Sequence, residues 1–288
     1  MTFERQTVWG RLIILDMFFA GVGAGVFPVS FLLYVIGVGR PAAIVSGLLS
    51  LPFVLLGLVF LLAEVRAPFR ARRVFSGFST SWMSRGALVQ VVFIIFVLGY
   101  AILALWLPGY GSIILVVGAI ALVLAVIITI YHGMVLSQVK AIPFWSSSAL
   151  PLFFFVDALC GGLGLTLLVH AAYVESYIEI SRVFQLLGVL GVVLIAGELV
   201  GIWSVIRQGL DATYSGSGKR VKVPLVIATA FLALCLALLA WGLLVEDKGL
   251  LTIILVICGA LLLANSLVTR YSVIGAGYHY PLQVRLPT

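Results

Sequence analysis

The chain has 288 residues, of which 63% are hydrophobic and only 9% are charged, and its net charge is +7. Because a soluble domain of this size must cover its surface with polar groups, this composition excludes a water-soluble protein and indicates an integral membrane protein. In such a protein a positive net charge mainly reflects topology, so it gives no reason to expect nucleic acid as a partner.

Eight apolar runs are long enough to cross a bilayer, which takes about 20 residues in a helix. Only helices and closed barrels satisfy every backbone hydrogen bond in lipid, and these runs are too long and continuous for barrel strands. We therefore predict an all-α integral membrane protein with eight transmembrane helices in two four-helix bundles. The predicted spans are Leu12–Gly37, Ile44–Glu64, Gly86–Trp106, Ile113–Val139, Leu150–Tyr173, Val183–Ile206, Val223–Val245 and Leu250–Thr269.

The first and fifth predicted helices share a pattern. Asp16 and Asp157 each lie within an apolar run, and each is followed by glycines at the fifth and seventh positions after it. An even number of helices per repeat leaves both halves the same way up. We therefore divide the chain into a first bundle, residues 1–145, and a second bundle with a C-terminal tail, residues 146–288.

Four acidic residues fall within the predicted helices or at their ends, in the half of the membrane nearer the more basic face: Asp16, Glu64, Asp157 and Glu198. Inserting a carboxylate into a bilayer costs roughly 2.5–3.5 kcal/mol, so such a group should face a protein interior. For Asp16 we predict a pocket or proton path. For Asp157 and Glu198 a proton path competes with a structural role, such as an ion pair of Glu198 with Arg270. Glu64 either contributes to a pocket or pairs with a basic neighbour in headgroup water.

The basic residues predict the orientation of the chain. With eight spans, 14 of the 17 Lys and Arg residues fall on the side of both termini. Positive residues near helix ends favour the cytoplasm. We therefore predict that both termini are cytoplasmic.

The histidines and cysteines limit the cofactors that this chain could hold. His132 and His170 lie near opposite ends of their helices, whereas a membrane haem needs an axial pair at one depth, so no haem is expected. Cys160, Cys235 and Cys258 are scattered and form no CxxC motif, so no iron–sulfur cluster and no other metal site is expected in this chain.

Two further segments carry candidate site residues. Tyr131 and His132, in the fourth predicted helix, could hydrogen-bond a carbonyl headgroup and pass protons, although Tyr131 could equally be a packing residue. The basic loop Ala67–Arg85 is explained by topology or by anionic lipid. Trp82 in that loop is either an interfacial residue or the wall of a pocket near Asp16.

Several motifs together resemble a known family. They are the glycine-striped first helix preceded by Trp9, the segments Ser81–Gly86 (SWMSRG), Tyr131–Ser137 (YHGMVLS), Lys140–Trp145 (KAIPFW) and Leu150–Phe153, and the pair Arg270–Tyr271. On these motifs the chain resembles the NrfD/PsrC family of polysulfide-reductase-type, quinone-reactive membrane subunits over nearly its whole length.

The resemblance implies a membrane anchor and quinone/quinol oxidoreduction subunit of a molybdopterin oxidoreductase complex in a prokaryotic cytoplasmic membrane. It implies a menaquinone or ubiquinone headgroup site in the first bundle, near the face that docks a ferredoxin-like [4Fe–4S] subunit. That subunit in turn connects to a molybdenum-bis-pterin catalytic subunit. In this sequence the quinone-holding positions correspond to Asp16 and Tyr131.

On this reading Asp16 and Tyr131, or His132, bind the quinone oxygens and exchange protons. Glu64, Trp82 and Arg85 shape or charge the pocket, and Asp157 and Glu198 form the candidate proton path. The alternatives that stay open are a proton-coupled secondary transporter and a passive membrane anchor. Many family members dock their soluble subunits outside the cytoplasm, so either this chain has cytoplasmic partners or its basic loops reflect docking instead of topology.

Overall fold

The computed structural model describes residues 4–5, 9–64, 82–142, 144–173, 177–212 and 218–279. The first fourteen residues of the basic loop, 67–80, and the motif residues Ser81 and Pro143 lie outside this described part. Within it, eight helices are long and apolar enough to cross a membrane. They are α1 Arg11–Ile36, α2 Arg40–Glu64, α3 Trp82–Trp106, α4 Gly111–Ser137, α5 Leu150–Tyr173, α6 Tyr177–Ala212, α7 Gly218–Gly242 and α8 Lys248–Gly275.

The observed helices confirm the predicted number and order of spans. The bounds of α5 are those predicted, whereas α3 begins at Trp82 instead of Gly86 and α6 is longer than predicted at both ends. The difference has a simple cause. Hydropathy marks the part of a helix in hydrocarbon, while the backbone hydrogen bonds continue through polar residues into the headgroup region.

Helix neighbours define two four-helix bundles, as predicted. In the first bundle α1 contacts α2 and α4, and α3 packs between α2 and α4. In the second bundle α5 contacts α6 and α8, and α7 packs between α6 and α8. The most extensive contact between the two bundles is that of α1 with α5, followed by that of α4 with α5. In the most apolar stretches of α1 and α5, 72% of the residues are buried, against 33% in α2, α3 and α4. The two helices with the shared acidic and glycine pattern are therefore the centre of the molecule.

Glycines allow α1 and α5 to touch backbone to backbone. A Cβ atom on Gly25 would collide with the carbonyl of Ala158, and one on Gly162 would collide with the backbone of Gly25. Helices in lipid gain little from the hydrophobic effect, so this close van der Waals contact is a main source of their association. Gly25 of the first helix and Gly162 of the repeated pattern thus form the closest contact between the two halves of the chain.

Short segments outside the helices contact one another at the end of the molecule that carries both termini. Trp145, in the α4–α5 connection, donates a hydrogen bond from its indole Nε1 to the Val273 carbonyl of α8, at 2.8 Å. Its ring centroid lies 5.2 Å from that of Trp9. Two-residue strands, β1 Glu4–Arg5 and β2 Tyr278–His279, pair antiparallel and bring the terminal segments together.

Candidate functional site

Three of the predicted site residues meet at one small cavity in the first bundle. Asp16 of α1 lies with Tyr131 and His132 of α4 around this cavity. Asp16 is five residues inside the start of α1 and Tyr131 six residues before the end of α4, which at 1.5 Å per residue places them about 8 and 9 Å from those helix ends. The cavity is therefore within the apolar part of the helices but close to the end that carries the termini.

The rest of the cavity wall is apolar. Its volume is about 10 Å³, roughly the space that one water molecule occupies. The residues that complete the lining are Trp9, Ile13, Met17, Leu61, Met83 and Val135. A larger group needs the wall to move, and methionine side chains, with three rotatable bonds, adapt more readily than the other residues around it.

The polar groups at the cavity have unused hydrogen-bonding capacity. Asp16 is 3% exposed and His132 is 1% exposed. Within the described part of the chain, Asp16 Oδ1 and both ring nitrogens of His132 have no hydrogen-bond partner. Buried polar atoms are almost always paired, so these atoms need a ligand or water to complete their bonds.

Tyr131 is held in place by a glycine of the SWMSRG motif. A Cβ atom on Gly86 of α3 would collide with the phenol ring of Tyr131. The ring is buried and its centroid lies 5.3 Å from that of His132. The motif thus provides the surface against which the tyrosine packs.

A second polar cluster lies in the core of the second bundle and extends to the bundle interface. The Arg270 guanidinium of α8 pairs with the Asp157 carboxylate of α5, Nη1 to Oδ2, at 2.7 Å. Nη1 also donates to Ser266 Oγ at 2.9 Å, and Ser266 Oγ donates to Asp157 Oδ2 at 3.2 Å. The ion pair predicted as an alternative for Glu198 is therefore made by Asp157 instead.

Glu198 extends this cluster along α6. Asn265 Nδ2 of α8 donates to Glu198 Oε1 at 2.6 Å. Asn265 directly precedes Ser266 on α8, so the partner of Glu198 adjoins the partner of Asp157. Asp157 and Glu198, which also interact electrostatically, thus belong to one fully buried cluster.

The remaining predicted site residues lie apart from the cavity lining. Glu64 is the last residue of α2, and Trp82 is the first residue of α3 and 37% exposed. The Arg85 guanidinium lies 5.1 Å from the centroid of the Trp82 ring. All three are at the end of the bundle that carries the termini, and of the SWMSRG side chains described it is Met83 that lines the cavity.

The sequence indicates Arg270 as a topological basic residue, as an alternative partner for Glu198 and as part of the Arg270–Tyr271 motif, but not as a candidate site residue. In the structure its side chain is completely buried. The rule applied to Asp16, that a charge within an apolar run faces a protein interior, would also have identified Arg270. No sequence signal distinguished Asn265 and Ser266 from ordinary polar residues in α8.

Comparisons with known proteins bear on the identity of the chain. Comparison with curated proteins gives no match. A family model described as "Polysulphide reductase, NrfD" matches residues 2–281.

Proposed function

Because this chain belongs to the NrfD family of polysulphide reductase membrane subunits, we propose that it exchanges electrons between membrane quinone and an iron–sulfur partner. In this proposal the chain is the membrane anchor and quinone/quinol oxidoreduction subunit of a molybdopterin oxidoreductase complex. The electrons pass between the quinone and a ferredoxin-like [4Fe–4S] subunit, which is connected to a molybdenum-bis-pterin subunit.

The observation that carries the proposal is the group of three polar side chains at one apolar-walled cavity. Asp16, Tyr131 and His132 meet there, and Asp16 and His132 have buried atoms without a partner among the described residues. Carboxylate, phenol and imidazole suit the two oxygens of a quinone ring, which accept hydrogen bonds when oxidised and carry protons when reduced. The apolar wall suits the ring itself.

The chemistry divides between the quinone and the side chains. A bound quinone takes up two electrons and two protons to become a quinol, and gives up both pairs in the reverse direction. Asp16 accepts or returns a proton through its carboxylate, and Tyr131 donates a hydrogen bond through its hydroxyl. His132, which has a donor and an acceptor nitrogen when neutral, can bind a quinone oxygen in place of Tyr131 and exchange a proton with it.

Access for the quinone ring requires the cavity wall to open. The volume of about 10 Å³ is too small for a six-membered ring with two oxygens. Met17 and Met83 form part of the wall, and rotation of their side chains is the least costly way to enlarge it. Glu64, Trp82 and Arg85, at the same end of the helices, shape and charge the approach to the cavity in this proposal.

The network around Asp157 and Glu198 is the proposed proton path into the second bundle. It connects by side-chain contacts to Arg270, which lies beside α1. Asp157 and Glu198 interact electrostatically, and interacting buried carboxyl groups can share a proton.

The proposal is tested with purified complex that carries Asp16→Asn or Tyr131→Phe. Each variant should lose quinol-linked turnover by about 10²- to 10⁴-fold, the usual contribution of general acid–base groups. Activity with artificial donors that react at the soluble subunits should be unchanged, because those subunits are intact.

A matched control is Tyr100→Phe. Tyr100 is a buried tyrosine of α3, within an aromatic cluster remote from the cavity lining. It should keep quinol-linked turnover. Unchanged quinol turnover in both Asp16→Asn and Tyr131→Phe would refute the site and favour a passive anchor.

A further inference from the structure

A groove of about 500 Å³ lies between α1, α7 and α8, at a contact between the two bundles. Its volume falls within the range of roughly 300–1,000 Å³ that is usual for small-molecule sites. α8 contacts both of the other helices. The lining includes Arg11, Ile14 and Leu15 of α1, Ile227 of α7, and Leu267 and Tyr271 of α8.

Helix periodicity separates this groove from the candidate quinone cavity. Residues four apart share one side of a helix, and residues two apart lie on nearly opposite sides. Arg11 and Leu15 line the groove, whereas Ile13 and Met17 line the cavity. The two hollows are therefore on opposite sides of α1, and the groove is a site of its own.

The inner part of the groove is apolar and open to lipid. Ile227 is 41% exposed and Leu267 is 39% exposed. At 1.5 Å per residue they lie about 14 Å and 12 Å from the ends of α7 and α8 on the side of the termini. At this depth the surroundings are hydrocarbon, so the occupant must have an apolar chain that reaches into the bilayer.

The outer end of the groove is basic. Arg11 is the exposed first residue of α1, and within the described part of the chain no carboxylate forms an ion pair with it. Tyr271, which is 54% exposed, brings a phenol to the same end of the groove. The first two turns of α7 contain Lys219, Arg220 and Lys222, and neither α1 nor α7 has an acidic residue in its first turn. The charge of this end therefore suits an anionic headgroup.

We propose that the groove binds one anionic glycerophospholipid of the adjoining leaflet, with an acyl chain against Ile227 and Leu267 and the phosphate at Arg11 and Tyr271. A guanidinium can donate two parallel hydrogen bonds to a phosphate, and basic pockets between transmembrane helices are typical sites for anionic headgroups. The charge also decides between lipids, because a quinone head is neutral and phosphatidylcholine carries its own cation beside the phosphate. The inference does not depend on the proposed redox function.

The test measures thermal unfolding of the full chain, purified in detergent and stripped of lipid, with added phosphatidylglycerol or phosphatidylcholine of the same acyl chains. A ligand that binds only the folded protein raises the midpoint of unfolding as its concentration rises. Phosphatidylglycerol should act on the wild type at lower concentration than phosphatidylcholine. In Arg11→Gln this preference should fall by about fivefold or more, the usual effect of one basic residue beside anionic lipid.

Two further variants separate a specific site from general attraction between a basic protein and anionic lipid. Arg11→Lys keeps the positive charge and should keep most of the preference for phosphatidylglycerol. Arg182→Gln is the matched control, since Arg182 is an exposed arginine of α6 at the other end of the molecule and does not line the groove. It should match the wild type, and a loss equal to that of Arg11→Gln would overturn the site.

Native mass spectrometry tests the apolar part of the groove. The wild type should retain one phosphatidylglycerol molecule, and Leu267→Trp, which fills the groove and leaves Arg11 in place, should retain none. Ile227→Trp fills it from another helix and should have the same effect, so the result does not depend on the folding of one variant. Retention in both variants would overturn the inference.

Two other occupants of the groove give distinct results. A quinone that copurifies with Arg11→Gln but not with Leu267→Trp would assign the groove to a neutral lipid. Loss of the retained phosphatidylglycerol when the chain is purified in its intact complex would assign the groove to a segment of a partner protein. Either result would overturn the lipid site, whereas one phosphatidylglycerol retained in the intact complex supports it.

Discussion

Tyr131 shows how a single residue in one helix can determine the position of a functional group in another. The phenol ring packs on the backbone of α3 at Gly86, where any side chain would occupy the same space. The hydroxyl can therefore reach the cavity only because residue 86 has no Cβ. Close approach of this kind is a specific reason for glycine in a membrane helix, separate from its general role in helix packing.

Gly86→Ala should accordingly displace the Tyr131 ring and lower quinol-linked turnover by about tenfold or more, while the complex still assembles. The physical reason is that a shift of about 1 Å in a positioned catalytic group costs up to about 10²-fold in rate. Steady-state turnover with quinol and with artificial donors measures the effect. Gly99→Ala, in the same helix, should leave both rates unchanged; equal rates for Gly86→Ala and wild type would contradict the positional role.

The element that organises the molecule is the pair α1 and α5. They are the most buried helices, and they cross where Gly25 and Gly162 touch through their backbones. An interface of this kind has no flexible side chain that could yield to an added atom. It therefore tolerates substitution less than the contacts of the outer helices, which face lipid over most of their surface.

Gly25→Ala should destabilise the protein by at least the 1–3 kcal/mol that is typical of overpacking, because the collision is with the Ala158 carbonyl and not with a movable side chain. A lower midpoint of thermal unfolding in detergent measures it. The control is Gly197→Ala in α6, where a Cβ would meet Val156 Cγ1 at 3.5 Å, an ordinary contact. An unchanged midpoint in both variants would show that α1 and α5 can move apart without loss of stability.

At the scale of the whole molecule, the candidate site, the ends of α2 and α4, and both terminal segments belong to one face. Arg270 contributes to the sequence count of basic residues on this face, yet its side chain is buried and does not meet headgroups. The count of lysine and arginine residues still favours this face as the cytoplasmic one when Arg270 is left out. The prediction that this face is cytoplasmic therefore depends on the exposed residues near helix ends, to which the rule applies.

Reporter fusions test this orientation. A fluorescent reporter at the C-terminus should be active and a periplasm-dependent phosphatase inactive, with the reverse result for a fusion after residue 109, in the α3–α4 connection. The opposite pattern at both points would show that the basic residues reflect docking of soluble subunits outside the cytoplasm. In that case the orientation prediction would be wrong, and the proposed quinone site would be near the outer face.

Sequence alone determined the number and order of the spans, and it predicted Asp16, His132 and, with the family resemblance, Tyr131 as candidate residues. The spans follow because lipid leaves the backbone no partner outside its own helix, so an apolar run of sufficient length has one structure available. The candidate residues follow because an ionisable or polar group in such a run is costly and must be buried in protein.

Only the tertiary structure decided which polar groups meet. Asp16 and Tyr131 are separated by 115 positions in the chain, and Arg270 could have paired with Glu198, as one reading of the sequence suggested, instead of Asp157. Hydropathy specifies that a residue is buried but not the rotation of its helix or the neighbour that it faces. That choice is made by close packing at Gly21, Gly25 and Gly86, where the absence of a side chain allows a particular backbone, guanidinium or phenol ring to approach.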